Sequence, residues 1–220
     1  MIRMSGMLLR RDLGNLLGGG SRGGNMLPLL FFLAVIVLYP FSVGPDAALL
    51  QRTGGGVVWI AALLAALLPL DRLVLPDLAD GTFDQFALRG IAEETVLAIR
   101  IISHWLGFAP LLLAATLVAA ALFGLSAEQV RFLLLGLLAG TPGLAALGVM
   151  TAALVAGVRS GPALGGLLFL PLAVPLVIFG AGSLQRFDGG AIALTGAVSL
   201  AFLALAPFAG GAAIRATREN

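Results

Sequence analysis

Along the chain, long uncharged apolar stretches alternate with short polar punctuation. Six windows contain no Asp, Glu, Lys or Arg: Met26–Val43, Val57–Leu70, Ile101–Phe123, Phe132–Val158, Ala163–Leu184 and Ala191–Ile214. A membrane-crossing helix needs about 20 such residues. Every window can reach that length except the second, which must borrow Gly54–Gly56 or extend past Asp71 toward Leu75. Barrel strands would alternate apolar and polar positions over about 10 residues. These runs are continuously apolar, so the expected fold class is all-α and integral to the membrane, with six transmembrane helices. The first window is too long for a signal-peptide core. The Phe41-Ser-Val-Gly-Pro45 that follows it ends in a proline turn, not a small-residue cleavage site, so the segment is expected to stay in the mature protein.

The punctuation predicts smaller elements. Met1–Leu17 sets Met4, Met7, Leu8, Leu13, Leu16 and Leu17 beside Arg3, Arg10 and Arg11, the composition of an interfacial amphipathic helix. Gly18-Gly-Gly-Ser-Arg-Gly-Gly24 then makes a flexible elbow. The longest polar segment is Asp71–Arg100, too short for a separate domain, so residues 1–220 are expected to form a single permease-sized unit. No internal repeat is evident.

Composition agrees with the pattern. The 220 residues are 60% hydrophobic and 11% charged, with a mean hydropathy of +1.06, which places the chain in a bilayer. All thirteen basic residues are arginine, scattered among the polar segments without forming a stripe, which excludes a nucleic-acid footprint. Arg3, Arg10, Arg11, Arg22, Arg72, Arg89, Arg100, Arg159, Arg215 and Arg218 fall on one side of a six-span topology; Arg52, Arg131 and Arg186 fall on the other. The excess of arginine assigns both termini and the Asp71–Arg100 segment to the cytoplasm.

Several chemistries are excluded. There is no cysteine, hence no disulfide or thiolate site. There is no lysine, so no P-loop to grip a nucleotide, and the chain cannot hydrolyse ATP by that route itself. No ionisable carboxylate or arginine lies inside an apolar window, which argues against an ion-coupled pump. His104 is the only histidine and no G-x-S-x-G elbow accompanies it, so acyl-transfer chemistry lacks its parts.

The acidic stretch Asp77-Leu-Ala-Asp-Gly-Thr-Phe-Asp-Gln-Phe-Ala-Leu-Arg89 remains to be explained. On one continuous helix Asp77, Asp80 and Asp84 would share a face and could hold Mg²⁺ for a lipid-phosphate or prenyl transferase. Gly81 and Thr82 interrupt such a helix, and few basic residues stand near to grip a diphosphate. A second reading is a short helix with its own punctuation. Thr82 and Gln85 would make a capping box, and Gly90 would supply the left-handed stop. Phe83 and Phe86 share one face of that helix and should meet another surface, either a partner's or this protein's own helix ends.

Taken in order, Phe41-Ser-Val-Gly-Pro45, Val58-Trp-Ile-Ala-Ala62, the Asp77–Gln85 block, Ser103-His-Trp105, Gly140-Thr-Pro142 and Leu170-Pro-Leu-Ala-Val-Pro-Leu-Val-Ile-Phe179 carry a resemblance. From Arg10 to the C-terminus the chain resembles the CcmB family, the membrane permease of the cytochrome c maturation (haem exporter) ABC transporter. The two prolines four apart inside a span are the most specific mark. The resemblance implies a type-2 ABC permease fold, paired with a second copy and with cytoplasmic ABC ATPase subunits in the bacterial inner membrane. It further implies haem-handling membrane subunits and a periplasmic haem chaperone as partners, haem as cargo, ATP on the partner chain, and no catalysis by this chain. Asp77, Asp80, Gly81, Thr82, Phe83, Asp84, Gln85 and Phe86 would then form the ATPase-coupling helix, with Phe83 and Phe86 as its apolar face. Ile91-Ala-Glu-Glu94 departs from the family's pattern, being acidic where an apolar, proline-containing stretch is expected.

His104 and Trp105 have two readings: haem contact, by imidazole ligation and indole stacking, or a hydrogen-bonded position at the membrane interface. Pro142, Pro171, Pro175 and Pro207 are expected to kink or open their helices. Gly136, Gly140, Gly143 and Gly148 are expected to allow close helix approach.

Overall fold

The computed structural model describes residues 26–158, 161–187 and 189–218. The expected interfacial helix and glycine elbow at the N-terminus lie outside the described residues. Six long helices account for most of the rest: α1 (Met26–Val43), α2 (Ala47–Leu67), α6 (Glu93–Phe123), α7 (Ala127–Val155), α8 (Gly161–Arg186) and α9 (Gly189–Arg218). All six contain stretches long and apolar enough to cross a membrane, and no strand occurs among the described residues. Three short helices stand between α2 and α6: α3 (Leu70–Leu73), α4 (Leu75–Ala79) and α5 (Thr82–Leu88).

The shortest window reaches membrane length by starting early. Gly44, at φ +83°, turns the chain after α1, and the Asp46 side chain accepts a hydrogen bond from the Leu49 amide at 3.0 Å to cap α2. The helix then runs straight through Gly54-Gly-Gly56. Glycine is a poor helix former in water, yet a Cβ on Gly54 would lie 2.6 Å from the Phe123 ring and one on Gly55 would collide with Leu184. These positions are glycine because α6 and α8 press against them.

α7 is the central helix, and its glycines take neighbours at close quarters. A Cβ on Gly143 would meet the Ser199 backbone at 2.8 Å, and one on Gly148 would meet Leu70 and Leu73 at 3.5 Å. Trp59 of α2, fully buried, occupies a slot walled by three glycines. Its ring would be 2.6 Å from a Cβ on Gly140 and 3.4 Å from one on Gly136, and a Cβ on Gly180 of α8 would fall inside it. Lipid tails are as apolar as the core, so helix association here draws on close packing more than on the hydrophobic effect.

The prolines do not open their helices. Pro142, Pro171, Pro175 and Pro207 each lie inside a helix that continues through them, which membrane helices tolerate where neighbouring groups satisfy the freed carbonyl. α6 also begins earlier than its apolar window. At 31 residues it spans about 46 Å against a hydrocarbon core of about 30 Å, long enough to carry its polar first turns, Glu93 to Arg100, past the lipid. Between the long helices α2 and α6 lies segment 68–92.

The two ends of the bundle are stitched differently. At one end Gln51 donates to the Gly124 carbonyl at 2.8 Å, and Gln129 donates to the Gln51 carbonyl at 3.1 Å. A capping box between Ser126 and Gln129 opens α7 there. The other end gathers α3 to α5, the start of α6 and the end of α9, so the acidic segment and the end of α9 lie on the same side.

The Trp59 slot sets the first test. Gly180→Val places branched carbons where the indole ring sits and should destabilise the bundle by about 1–3 kcal/mol or more, read as a lower Tm in detergent. Adding Trp59→Leu should recover part of that loss, because it empties the slot the valine invades.

Candidate functional site

Segment 68–92 is the longest stretch between long helices among the described residues, and local rules account for its outline. Pro69 ends α2's path. Val74, at φ −132°, separates α3 from α4, and Pro76 sits in the first turn of α4. Gly81 then adopts φ +67° and Gly90 φ +69°, two left-handed positions that isolate α5. After α5 the Gly90 amide donates to the Ala87 carbonyl at 2.9 Å and the Ile91 amide to the Phe86 carbonyl at 3.0 Å, the paired bonds of a Schellman stop.

The start of α5 departs from expectation. Thr82 is already inside the helix, Gly81 occupies the cap position, and no side chain caps it. The Gln85 amide bonds the Gly81 carbonyl at 3.2 Å in the ordinary helical manner. The Thr82–Gln85 capping box is therefore not the N-terminal device. The same Ser/Thr-x-x-Gln pattern does form a box at Ser126–Gln129, where the serine is extended, at φ −66° and ψ 158°.

Arg100 organises the segment. Its side chain is 9% exposed. Nη1 donates to the Leu73 carbonyl at the end of α3 at 2.6 Å, Nη2 donates to the Asp77 carboxylate of α4, and the guanidinium carbon lies 5.8 Å from the centroid of the Phe83 ring of α5. One side chain thus touches all three short helices and ties them to α6. The sequence reading counted Arg100 only as a loop charge. Its signal was its place at the edge of a long uncharged window, where a charge must find a partner.

Two further expectations are corrected. Asp77, Asp80 and Asp84 do not share a helical face. The left-handed turn at Gly81 separates α4 from α5, Asp77 turns to Arg100, and the Asp84 carboxylate takes the Nε of Arg218 at 2.6 Å. No cluster of metal-ligating side chains occurs among the described residues, so the Mg²⁺-transferase arrangement is not assembled. Phe83 and Phe86, 2% and 7% exposed, pack into this chain's own core and offer no apolar face outward. The outward face of α5 carries Asp84, Gln85, Ala87 and Leu88. Leu88, at 89% exposure, is the most exposed large apolar side chain of the described protein.

Glu93 and Glu94 are both paired. Arg215 of α9 bonds Glu94 and approaches Glu93 at 3.4 Å, and Arg218 Nη1 bonds Glu93 at 2.6 Å. The carboxylates sit in the first turn of α6 and the guanidiniums in the last turn of α9, the favourable end of each helix dipole.

His104 lies on α6. It is buried, its ring stacks at a tilt on Phe108 with centroids 4.9 Å apart, and Nε2 has no hydrogen-bond partner while facing Gly148. Trp105 is partly buried and donates to the Thr141 hydroxyl at 3.0 Å, so it joins α6 to α7.

A family model described as CcmB protein matches residues 3–217 of the chain. The chain is 44% identical over 214 residues to heme exporter protein B of Rhodobacter capsulatus, covering 94% of this chain and 97% of that protein. It is 38% identical to the protein of the same name from Haemophilus influenzae, over 88% of this chain and 90% of that one. Against the Escherichia coli K12 protein of that name it is 40% identical, over 86% and 88%.

Removing the arginine pin tests this geometry. Arg100→Ala leaves a largely buried carboxylate and carbonyl without that partner, at a cost of about 3–5 kcal/mol. Hydrogen exchange should rise across residues 70–88 while the six spans stay protected. The Arg100→Ala and Asp77→Ala changes together should cost less than their sum, because they remove the two sides of one pair.

Proposed function

The chain belongs to the CcmB family, and on that premise we propose that it is the membrane permease subunit of an ATP-driven ABC transporter serving cytochrome c maturation. The observation that carries this reading is whole-length identity to relatives named heme exporter protein B. The chain acts as a non-catalytic subunit. It lacks the lysine of a P-loop, so ATP is hydrolysed by a cytoplasmic partner, and haem is cargo, not a resident cofactor. The assembly comprises a second copy of this chain in a type-2 permease arrangement, haem-handling membrane subunits and a periplasmic chaperone. The work done is haem export or release of the haem-loaded chaperone.

In this reading α5 is the coupling helix. A partner's push on the exposed Leu88 edge is resisted by Phe83 and Phe86, seated in the core, and by the Arg100 pin. The force passes into α6 instead of dissipating in a loose loop. His104 acts as a packing residue, since ligation at Nε2 would require α6 to part from Gly148 and the α3 side chains beside it. The protein resides in the bacterial inner membrane. The side that gathers 68–92 and the end of α9 faces the cytoplasm, following the arginine excess.

Two measurements test this. Leu88→Asp should leave insertion intact and weaken retention of the ATPase on the detergent-purified complex about tenfold to a hundredfold, the equivalent of losing about 1.5–3 kcal/mol of apolar burial. An unaltered stoichiometry would overturn the coupling assignment. Phe83→Ala with Phe86→Ala should instead lower the stability of the subunit itself. For topology, reporter fusions within residues 71–92 and at Arg215 should read as cytoplasmic, and those at Arg52, Glu128 and Asp188 as external. A cytoplasmic reporter at Asp188 breaks the six-span arrangement.

A further inference from the structure

The coupling segment is held at two places of very different character. On the α6 side the hold is the buried Arg100 fork. On the α9 side it is a chain of charges: Glu94 to Arg215, Arg215 to Glu93, Glu93 to Arg218, and Arg218 to Asp84 of α5. The α9 end of this chain is itself fixed. A Cβ on Gly210 would lie 2.8 Å from Leu97, and one on Gly211 3.0 Å from Glu94, so the last turns of α9 lie directly on the first turns of α6. Arg218 is therefore presented from a rigid base, with Nη1 already on Glu93 at 2.6 Å and Nε on Asp84 at 2.6 Å.

An ordinary surface ion pair contributes little, partly because two long side chains must be immobilised to make it. Arg218 avoids much of that loss, because Glu93 has set its fork before Asp84 arrives. Asp84 is the exposed member and shares the outward edge of α5 with Leu88, one helical turn away. Left-handed glycines bound α5 on both sides, so the end of α9 holds the outer edge while the buried phenylalanines hold the inner one.

We propose that Arg218 is a positioning residue for the coupling helix: from the end of α9 it fixes, through Asp84, the angle at which Leu88 is presented to the ATP-hydrolysing partner. The inference rests on the coupling assignment for α5 made above. It also gives the acidic Glu93-Glu94 pair a role, as the seat on which the two arginines are oriented.

The assembled membrane complex in nanodiscs is diluted, and the ATPase remaining bound is followed over time. Arg218→Gln and Asp84→Asn should each weaken retention roughly two- to fivefold, and the double variant should be no worse than either. Raising salt should weaken the wild type more than the variants. The native chain has no cysteine, so Asp84→Cys with Arg218→Cys introduces its only thiols. A short bismaleimide joining them should restore retention that the unlinked variant has lost, which a general packing defect at either position would not allow. Variants that match the wild type in retention and salt response, or a cross-link that releases the ATPase, overturn the role of Arg218. Leu88→Asp that leaves retention unaltered overturns the coupling assignment instead, so the two failures are distinguishable.

Discussion

A guanidinium near the start of the third span is the constraint on which the segment between the second and third spans depends. Helices of four, five and seven residues are too short to persist alone, since nucleating each one fixes several dihedrals for very few hydrogen bonds. Arg100 supplies what they lack. It satisfies a carbonyl at the end of the first, a carboxylate of the second and the ring face of a phenylalanine in the third. Because the side chain is nearly dry, each of these contacts is stronger than it would be in water, and losing either hydrogen bond leaves a polar group without that partner.

Within the bilayer the organising contacts are of another kind. The spans have no hydrophobic reason to prefer one another over lipid, so their arrangement is set by shape. Trp59 seats between glycines of two helices, Gly143 admits the backbone of α9, and Gly54 and Gly55 admit side chains of α6 and α8. The result is a tightly keyed bundle centred on α7. A displacement applied at one end of α6 meets packed neighbours along its length, since packed interiors are stiff and not continuously deformable.

The two anchors of segment 68–92 divide the labour. The buried arginine sets where the segment is, and the charge chain from α9 sets how its outer edge is angled. One is shielded from salt and the other is not, so the outer contact is also the one most open to adjustment.

Much of this was legible in one dimension. The length and continuity of the apolar windows determine six membrane helices, because a bilayer imposes a minimum length on any spanning segment. Gly81 and Gly90 mark the ends of α5, because a left-handed backbone favours glycine, and the order of short marks identified the family. Tertiary structure decided the rest. Phe83 and Phe86 turn inward, Thr82 lies inside its helix instead of capping it, and Asp77 and Asp84 turn to separate neighbours. Asp77 meets Arg100 across 23 residues and Asp84 meets Arg218 across 134. Helix periodicity and turn chemistry are local properties that a sequence carries in full. Which arginine faces which carboxylate depends on how six helices stack, and that is fixed by glycine slots and ring shapes whose partners lie far apart in the chain.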